Sequence, residues 1–218
     1  MNISTKIVPS PKFSDKALND MFDYRLGRLR KSMLEQNISL SILVNPVSLR
    51  YAIDFDEYQL FQSHIPTCYL FVPAHGPLVM HGATRHTFPN VFEYRRPHFI
   101  TPFDSGFDLS NSVKLLSNDV DNFVREYGHN KNIAIERVSS LISNSLQTLG
   151  YQISDAECLV EKAKVIKCDT EIKCIKHSID VAEYGLKLMQ ENTFAGLTER
   201  QVWSILHQVN IANNGSWI

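Results

Sequence analysis

The sequence has no long apolar run, no excess of either charge and no close pair of cysteines, and each absence excludes something. Its longest apolar stretches, such as Ser41-Ile42-Leu43-Val44 and Tyr69-Leu70-Phe71-Val72, fall far short of the roughly 20 residues that cross a bilayer, so no membrane partner is expected. Among 218 residues, 22 basic and 23 acidic side chains leave a net charge of −1. A dedicated nucleic-acid binder would show a basic stripe, and none is present. The four cysteines (Cys68, Cys158, Cys168 and Cys174) include no CxxC spacing, which fits reduced thiols in a cytoplasmic protein. Residues 1–15 lack an apolar h-region, so no signal peptide is expected. The nine glycines form neither GxGxxG nor GxxxxGK, and no G-x-S-x-G elbow occurs. Phosphate-loop and serine-hydrolase routes therefore have no support.

What is present is an alternation of strand-like and helix-like segments. Residues 1–14, polar and carrying Pro9 and Pro11, read as a flexible arm. From Asp15, Leu18, Phe22, Leu26, Leu29 and Met33 recur at helical spacing. Leu40–Val44 reads as a buried strand closed by an Asn45-Pro46 turn, and Leu49–Ile53 as a further strand followed by an aromatic and polar loop. Thr67–Val72 and Pro77–His81 form an expected hairpin about Pro73-Ala74-His75-Gly76. A short strand is expected at His98–Thr101, then a helix through Val113, Leu116, Val120, Phe123 and Tyr127. Ile133–Ile135 reads as a strand, Leu141–Leu149 as a helix stopped by Gly150, and Tyr151–Ile153 as a last strand. This pattern predicts an α/β layer domain, a mixed sheet with flanking helices, over residues 15–157. Residues 158–218 read as purely helical. Asp169 can cap one helix, with the stripe Ile172, Ile175, Ile179, Ala182, Leu186 and Met189. A second opens on the capping box Thr198-Glu199-Arg200-Gln201 and carries Val202, Ile205, Leu206 and Val209. Two such helices have much apolar surface to cover, so the second domain reads as unfinished at Trp217-Ile218.

Local chemistry is sparse. His81 and His86 have no carboxylate at ligand spacing and read as satisfied loop histidines. Cys174 and His177 share a helix face without a second close ligand pair, and Cys68 lies mid-strand, where packing is its expected role. Asp54 and Asp56 form a D-x-D beside Tyr51 and Phe55, read as a strand end. No catalytic residue and no metal ligand can be named from the residues alone.

Two stretches nevertheless resemble a known family. Arg25-Leu26-Gly27-Arg28-Leu29-Arg30-Lys31-Ser32-Met33, leading into Leu40–Asn45, Pro46 and Arg50-Tyr51, resembles the first helix and first two strands of the N-terminal domain of creatinase, prolidase and Xaa-Pro aminopeptidase. Ala163-Lys164-Val165-Ile166-Lys167, followed by Glu171-Ile172, a long helix and Gly196-Leu197-Thr198-Glu199, resembles the opening of the same family's α+β pita-bread catalytic domain. Glu57-Tyr58-Gln59-Leu60-Phe61-Gln62-Ser63-His64-Ile65-Pro66, with Gly76–Gly82, looks most like the dimethylsulfoniopropionate lyase branch. Asp54 departs from the glycine that peptidase relatives usually carry there.

The resemblance implies a homodimer and a loop after Tyr51 that leans over the partner's active site. It implies a divalent metal (iron, manganese or zinc) in a full-length relative, held by ligands downstream of the two helices and so by no residue of this chain. A dimethylsulfonium cation would favour the aromatic faces of Tyr58 and Phe61, while Gln59, Gln62 and His64 could orient its carboxylate. The whole enzyme would remove the proton α to that carboxylate and release dimethyl sulfide and acrylate. The chain alone is expected to be silent. The alternatives are a fragment of a Xaa-Pro dipeptidase or aminopeptidase and a stand-alone dimerisation or binding module.

Overall fold

The computed structural model describes residues 4–57, 59–82, 84–98 and 106–215. The chain divides into two units, one comprising Phe22–Ile166 and the other Met1–Met21 with Lys167–Ile218.

The larger unit is built on six strands: β1 (Leu40–Leu43), β2 (Tyr69–Pro73), β3 (Leu78–His81), β4 (Val91–Arg95), β5 (Asn132–Ile135) and β6 (Gln152–Asp155). Their order is β4-β3-β2-β1-β5-β6. β2 alone is antiparallel to its neighbours; the β1–β5, β5–β6 and β3–β4 pairs are parallel. The hairpin expected about Pro73–Gly76 joins β2 to β3. Gly76 turns there at φ 116°, and a side chain at that position would strike the Tyr127 ring.

Both faces of the sheet are covered, which explains why the strands read as unbroken apolar runs. Toward one face point Leu43, Leu70, Val72, Leu78, Met80 and Ala134, packed with helices α1 (Asp15–Glu35), α2 (Pro46–Ile53) and α6 (Glu157–Lys164). Toward the other point Leu40, Ile42, Phe71, Val79, Ile133 and Ile135, under α4 (Ser110–Tyr127) and α5 (Ser140–Thr148). A short α3 (Gln59–His64) follows α2. Leu29 and Met33, fully buried on α1, each contribute on the order of 2 kcal/mol of transfer free energy.

Several expected elements differ. Leu49–Ile53 is the second half of α2 rather than a strand. Asn45 is a helix cap: its side chain accepts from the Val47 N–H, and Pro46 occupies the first turn, where its missing donor costs nothing. The helix is buried on nearly every side, so its apolar residues show no helical period. β4 is a strand the sequence pattern does not announce; of the strand expected at His98–Thr101, residues 99–101 lie outside the described residues. The compact unit around the sheet runs to Ile166, with Leu159, Val160 and Ala163 of α6 completing the core under the sheet.

The second unit contains α7 (Asp169–Asn192) and α8 (Glu199–Ala212). The capping box expected at Thr198 is present, whereas the first helix is capped by Cys168 rather than by the expected Asp169, which is its first helical residue. The Glu171 carboxylate accepts from the Cys168 backbone N–H, and the Thr198 and Gln201 side chains cap each other's N–H. Residues 4–14 form neither helix nor strand, yet they are not loose. The Lys6 N–H donates to the Tyr184 hydroxyl at 3.0 Å and the Val8 N–H to Asn213 Oδ1 at 2.7 Å. α7 and α8 meet through Leu188, Ile205 and Val209, with Val181, Tyr184 and Met189 beside them. Four residues of the α7 stripe (Ile172, Ile175, Ile179 and Leu186) instead stay exposed, at 41–57%. Trp217 and Ile218 lie outside the described residues. No helix among the described residues is long and apolar enough to cross a membrane.

Candidate functional site

The segment proposed to touch substrate leaves the C-terminus of α2. Asp54 ends that helix at φ 58°, ψ 32°, its N–H donating to the Arg50 carbonyl. This left-handed cap suits glycine best and asparagine or aspartate next. Asp54 therefore holds this turn with some strain, alongside a 3.2 Å ion pair to Arg50.

Beyond Asp54, Phe55 turns inward, its ring 5.4 Å from that of Phe88. Asp56 and Glu57 then meet the loop at residues 84–88. Glu57 is 1% exposed; its Oε1 accepts from the Arg85 N–H at 2.6 Å, and Arg85 Nε lies 4.0 Å from Oε2. His86 stands between the carboxylates, Nε2 at 3.3 Å from Asp56 and Nδ1 at 3.3 Å from Glu57. The two carboxylates approach opposite ring nitrogens, so no single cation could reach all three groups.

Of the five expected substrate contacts, Tyr58 lies outside the described residues, as do the side chains of Gln59 and Phe61, whose backbone belongs to α3. Gln62 is buried, and its amide is fully engaged. Nε2 donates to the Val44 and Cys68 carbonyls at 2.9 and 2.6 Å; Oε1 accepts from the Thr67 and Cys68 N–H groups at 2.9 and 3.1 Å. Contrary to the expectation that it orients a carboxylate, Gln62 holds the end of β1 to the start of β2. His64 is exposed, with Nδ1 2.9 Å from the Ser63 hydroxyl.

Two further residues brace this region, and neither carried a local sequence signal. Glu136, at the carboxyl end of β5, is buried; its Oε2 accepts the Val44 and Asn45 N–H groups, each at 2.7 Å, which fixes the entry to α2. Burial pushes its carboxyl pKa up, against the hydrogen bonds from Ser48, Asn45 and Val44. Arg137, at φ 50°, donates from Nη1 to the Ser63 carbonyl at 2.5 Å and lies 3.8 Å from Glu157. It lines a 480 Å³ cleft at the ends of β5 and β6, whose Ser154 and Asp155 already hydrogen-bond the chain around them.

His81 is not a satisfied loop histidine. It sits on β3 at 0% exposure, stacked 4.6 Å from Tyr69, with neither ring nitrogen hydrogen-bonded. Desolvation drives its pKa down to about 3, so the ring is neutral. Cys68 is buried as expected, and burial raises its thiol pKa. Among the described residues no group of three or more His, Cys, Asp or Glu is placed to hold a metal. The residues present do not fit the divalent ion that the resemblance implies for a whole enzyme.

The scan against family models gives no match. Two curated relatives align along most of the sequence. The dimethylsulfoniopropionate lyase DddP of Roseovarius nubinhibens is 28% identical over 212 residues, 92% of this chain and 48% of the relative. The protein of the same name from Roseobacter denitrificans is 26% identical over 206 residues, 89% of this chain and 46% of the relative. The chain is related to the creatinase–prolidase, or pita-bread, family.

It spans about half the length of the curated relatives it matches. Among solved structures, a Xaa-Pro dipeptidase from Bacillus anthracis superposes with a TM-score of 0.61 at 16% identity, covering 88% of this chain and 49% of that one. A prolidase from Thermococcus sibiricus gives 0.61 at 13% identity, with 89% and 50% covered. At such identities the likeness establishes the fold, a creatinase-type α/β domain followed by helices of the pita-bread part.

Proposed function

We propose that this chain is the N-terminal, dimerising and substrate-capping part of a pita-bread-family enzyme that cleaves dimethylsulfoniopropionate to dimethyl sulfide and acrylate. The observation that carries the reading is the alignment of 92% of the chain with a relative named as that lyase. The chemistry expected of the loop agrees with it. A sulfonium cation is attracted to aromatic faces, which Tyr58 and Phe61 supply in sequence. Gln59 and His64 would face the carboxylate end. Gln62 serves the site indirectly, by holding the segment that carries them.

On this reading the 218-residue chain alone is expected to be silent. Two measurements test this. The purified 218-residue chain, supplied with iron, manganese or zinc, should release neither dimethyl sulfide from dimethylsulfoniopropionate nor proline from X-Pro dipeptides. Metal-dependent turnover of either substrate would overturn the silence, and the substrate turned over would separate lyase from peptidase. Replacing the residue equivalent to Phe61 by alanine in a full-length relative should raise KM for the sulfonium substrate; an unchanged KM would end the capping role.

A further inference from the structure

We propose that His86 is a positioning residue for the capping segment: its imidazolium clasps Asp56 and Glu57 together, fastening the chain that leads into Tyr58–His64, and loss of its proton opens the clasp. Only the consequence for substrate rests on the capping reading above; the clasp itself rests on geometry.

Each ring nitrogen lies 3.3 Å from a carboxylate oxygen, Nε2 from Asp56 and Nδ1 from Glu57. An ionised carboxylate only accepts, and a neutral imidazole carries a single N–H. Both approaches are favourable together only when both nitrogens carry hydrogen. In the neutral ring one lone pair is turned against a carboxylate oxygen.

The two carboxylates are held differently. Glu57 is 1% exposed and has a fixed donor in the Arg85 N–H. Asp56 and His86 are each half exposed, so their link is the one that solvent can replace. The remaining face of His86 packs on Phe88, ring to ring at 4.6 Å, and Phe88 in turn packs on Phe55. The next charged groups along the segment are Asp54 with Arg50 and Arg25. Breaking the Asp56 link frees the chain at Asp56, between the α2 cap at Asp54 and the held Glu57.

Amide hydrogen exchange on the whole 218-residue chain tests this at about pH 6 and about pH 8, with each rate referred to its intrinsic value. Protection across residues 54–64 should be about three- to five-fold greater at the lower pH, the range of one partly exposed ion pair. In His86→Gln, which keeps a donor but cannot titrate, that pH response should vanish while β5 amides remain protected. Asp56→Asn should reduce it as well. A response that persists unchanged in both variants, or is absent from the wild type, would overturn the clasp. Exchange does not read turnover, so the clasp and the capping role can fail separately.

Discussion

Burying the Gln62 carboxamide is tolerable only because each of its polar atoms replaces water with backbone partners of β1 and the start of β2. Gln62→Leu keeps much of the volume and strands those partners in the interior. The expected loss is about 2–4 kcal/mol, read as a lowered urea midpoint at constant slope. A loss under about 0.5 kcal/mol would mean that water reaches those groups. His81 presents the opposite case, a ring buried between aromatic side chains whose nitrogens find no well-formed hydrogen bond. Its pKa falls from 6.5 to about 3 on folding, so within that window the unfolded chain binds a proton that the folded chain refuses. This contribution is fully present above the unfolded value and is lost as the pH falls, at up to about 1.4 kcal/mol per unit. His81→Phe can stack between Tyr69 and Phe71 and cannot titrate. Its stability relative to the wild type should therefore improve steadily between about pH 6.5 and pH 4, measured by urea unfolding. A constant difference would show that the folded ring accepts the proton freely. Neither role was legible in the sequence, because whether a polar residue is satisfied depends on which distant backbone groups the fold brings to it.

At the scale of elements, the αL cap of α2 can be tested directly. Asp54→Gly removes a Cβ from a left-handed position at the cost of a half-exposed ion pair with Arg50. A net gain of about 0.5–1 kcal/mol is expected from thermal unfolding. A net loss would make the Arg50 pair the stronger term. The same helix shows where sequence reading stops. α1, α4 and α8 each lay one face on a core, so their three- and four-residue spacing was visible. α2 buries Leu49, Tyr51, Ala52 and Ile53 almost consecutively, a run with no helical period, and it was read as a strand. α6 was missed as part of the sheet domain because it is short and follows β6 after a single residue. Spacing does not reveal the partner of a stripe either: α7 meets α8 through Leu188, while Ile172, Ile175, Ile179 and Leu186 are exposed.

For the molecule as a whole, the two units differ in how much apolar surface they bury. The sheet unit has a packed cluster on each face, drawing on every strand but β4 and β6 for fully buried residues and on five helices. Among the described residues, the cluster between α7 and α8 of the helical unit has three buried apolar residues, Leu188, Ile205 and Val209. Local stability follows buried apolar contact, so the helical unit should open at lower denaturant. The sequence supplies a probe for this: both tryptophans, Trp203 and Trp217, lie after residue 200, whereas far-ultraviolet circular dichroism reports every helix. Tryptophan fluorescence should therefore complete its change at a lower urea concentration than the circular dichroism, which should show two steps, the second carrying the sheet domain. Val209→Ala should shift the first step alone, by about 2–3 kcal/mol, since its side chain is fully buried between α7 and α8. Coincident fluorescence and dichroism transitions that Val209→Ala moves together would show that the units unfold as one, which requires coupling between them comparable to the stability of the helical pair itself.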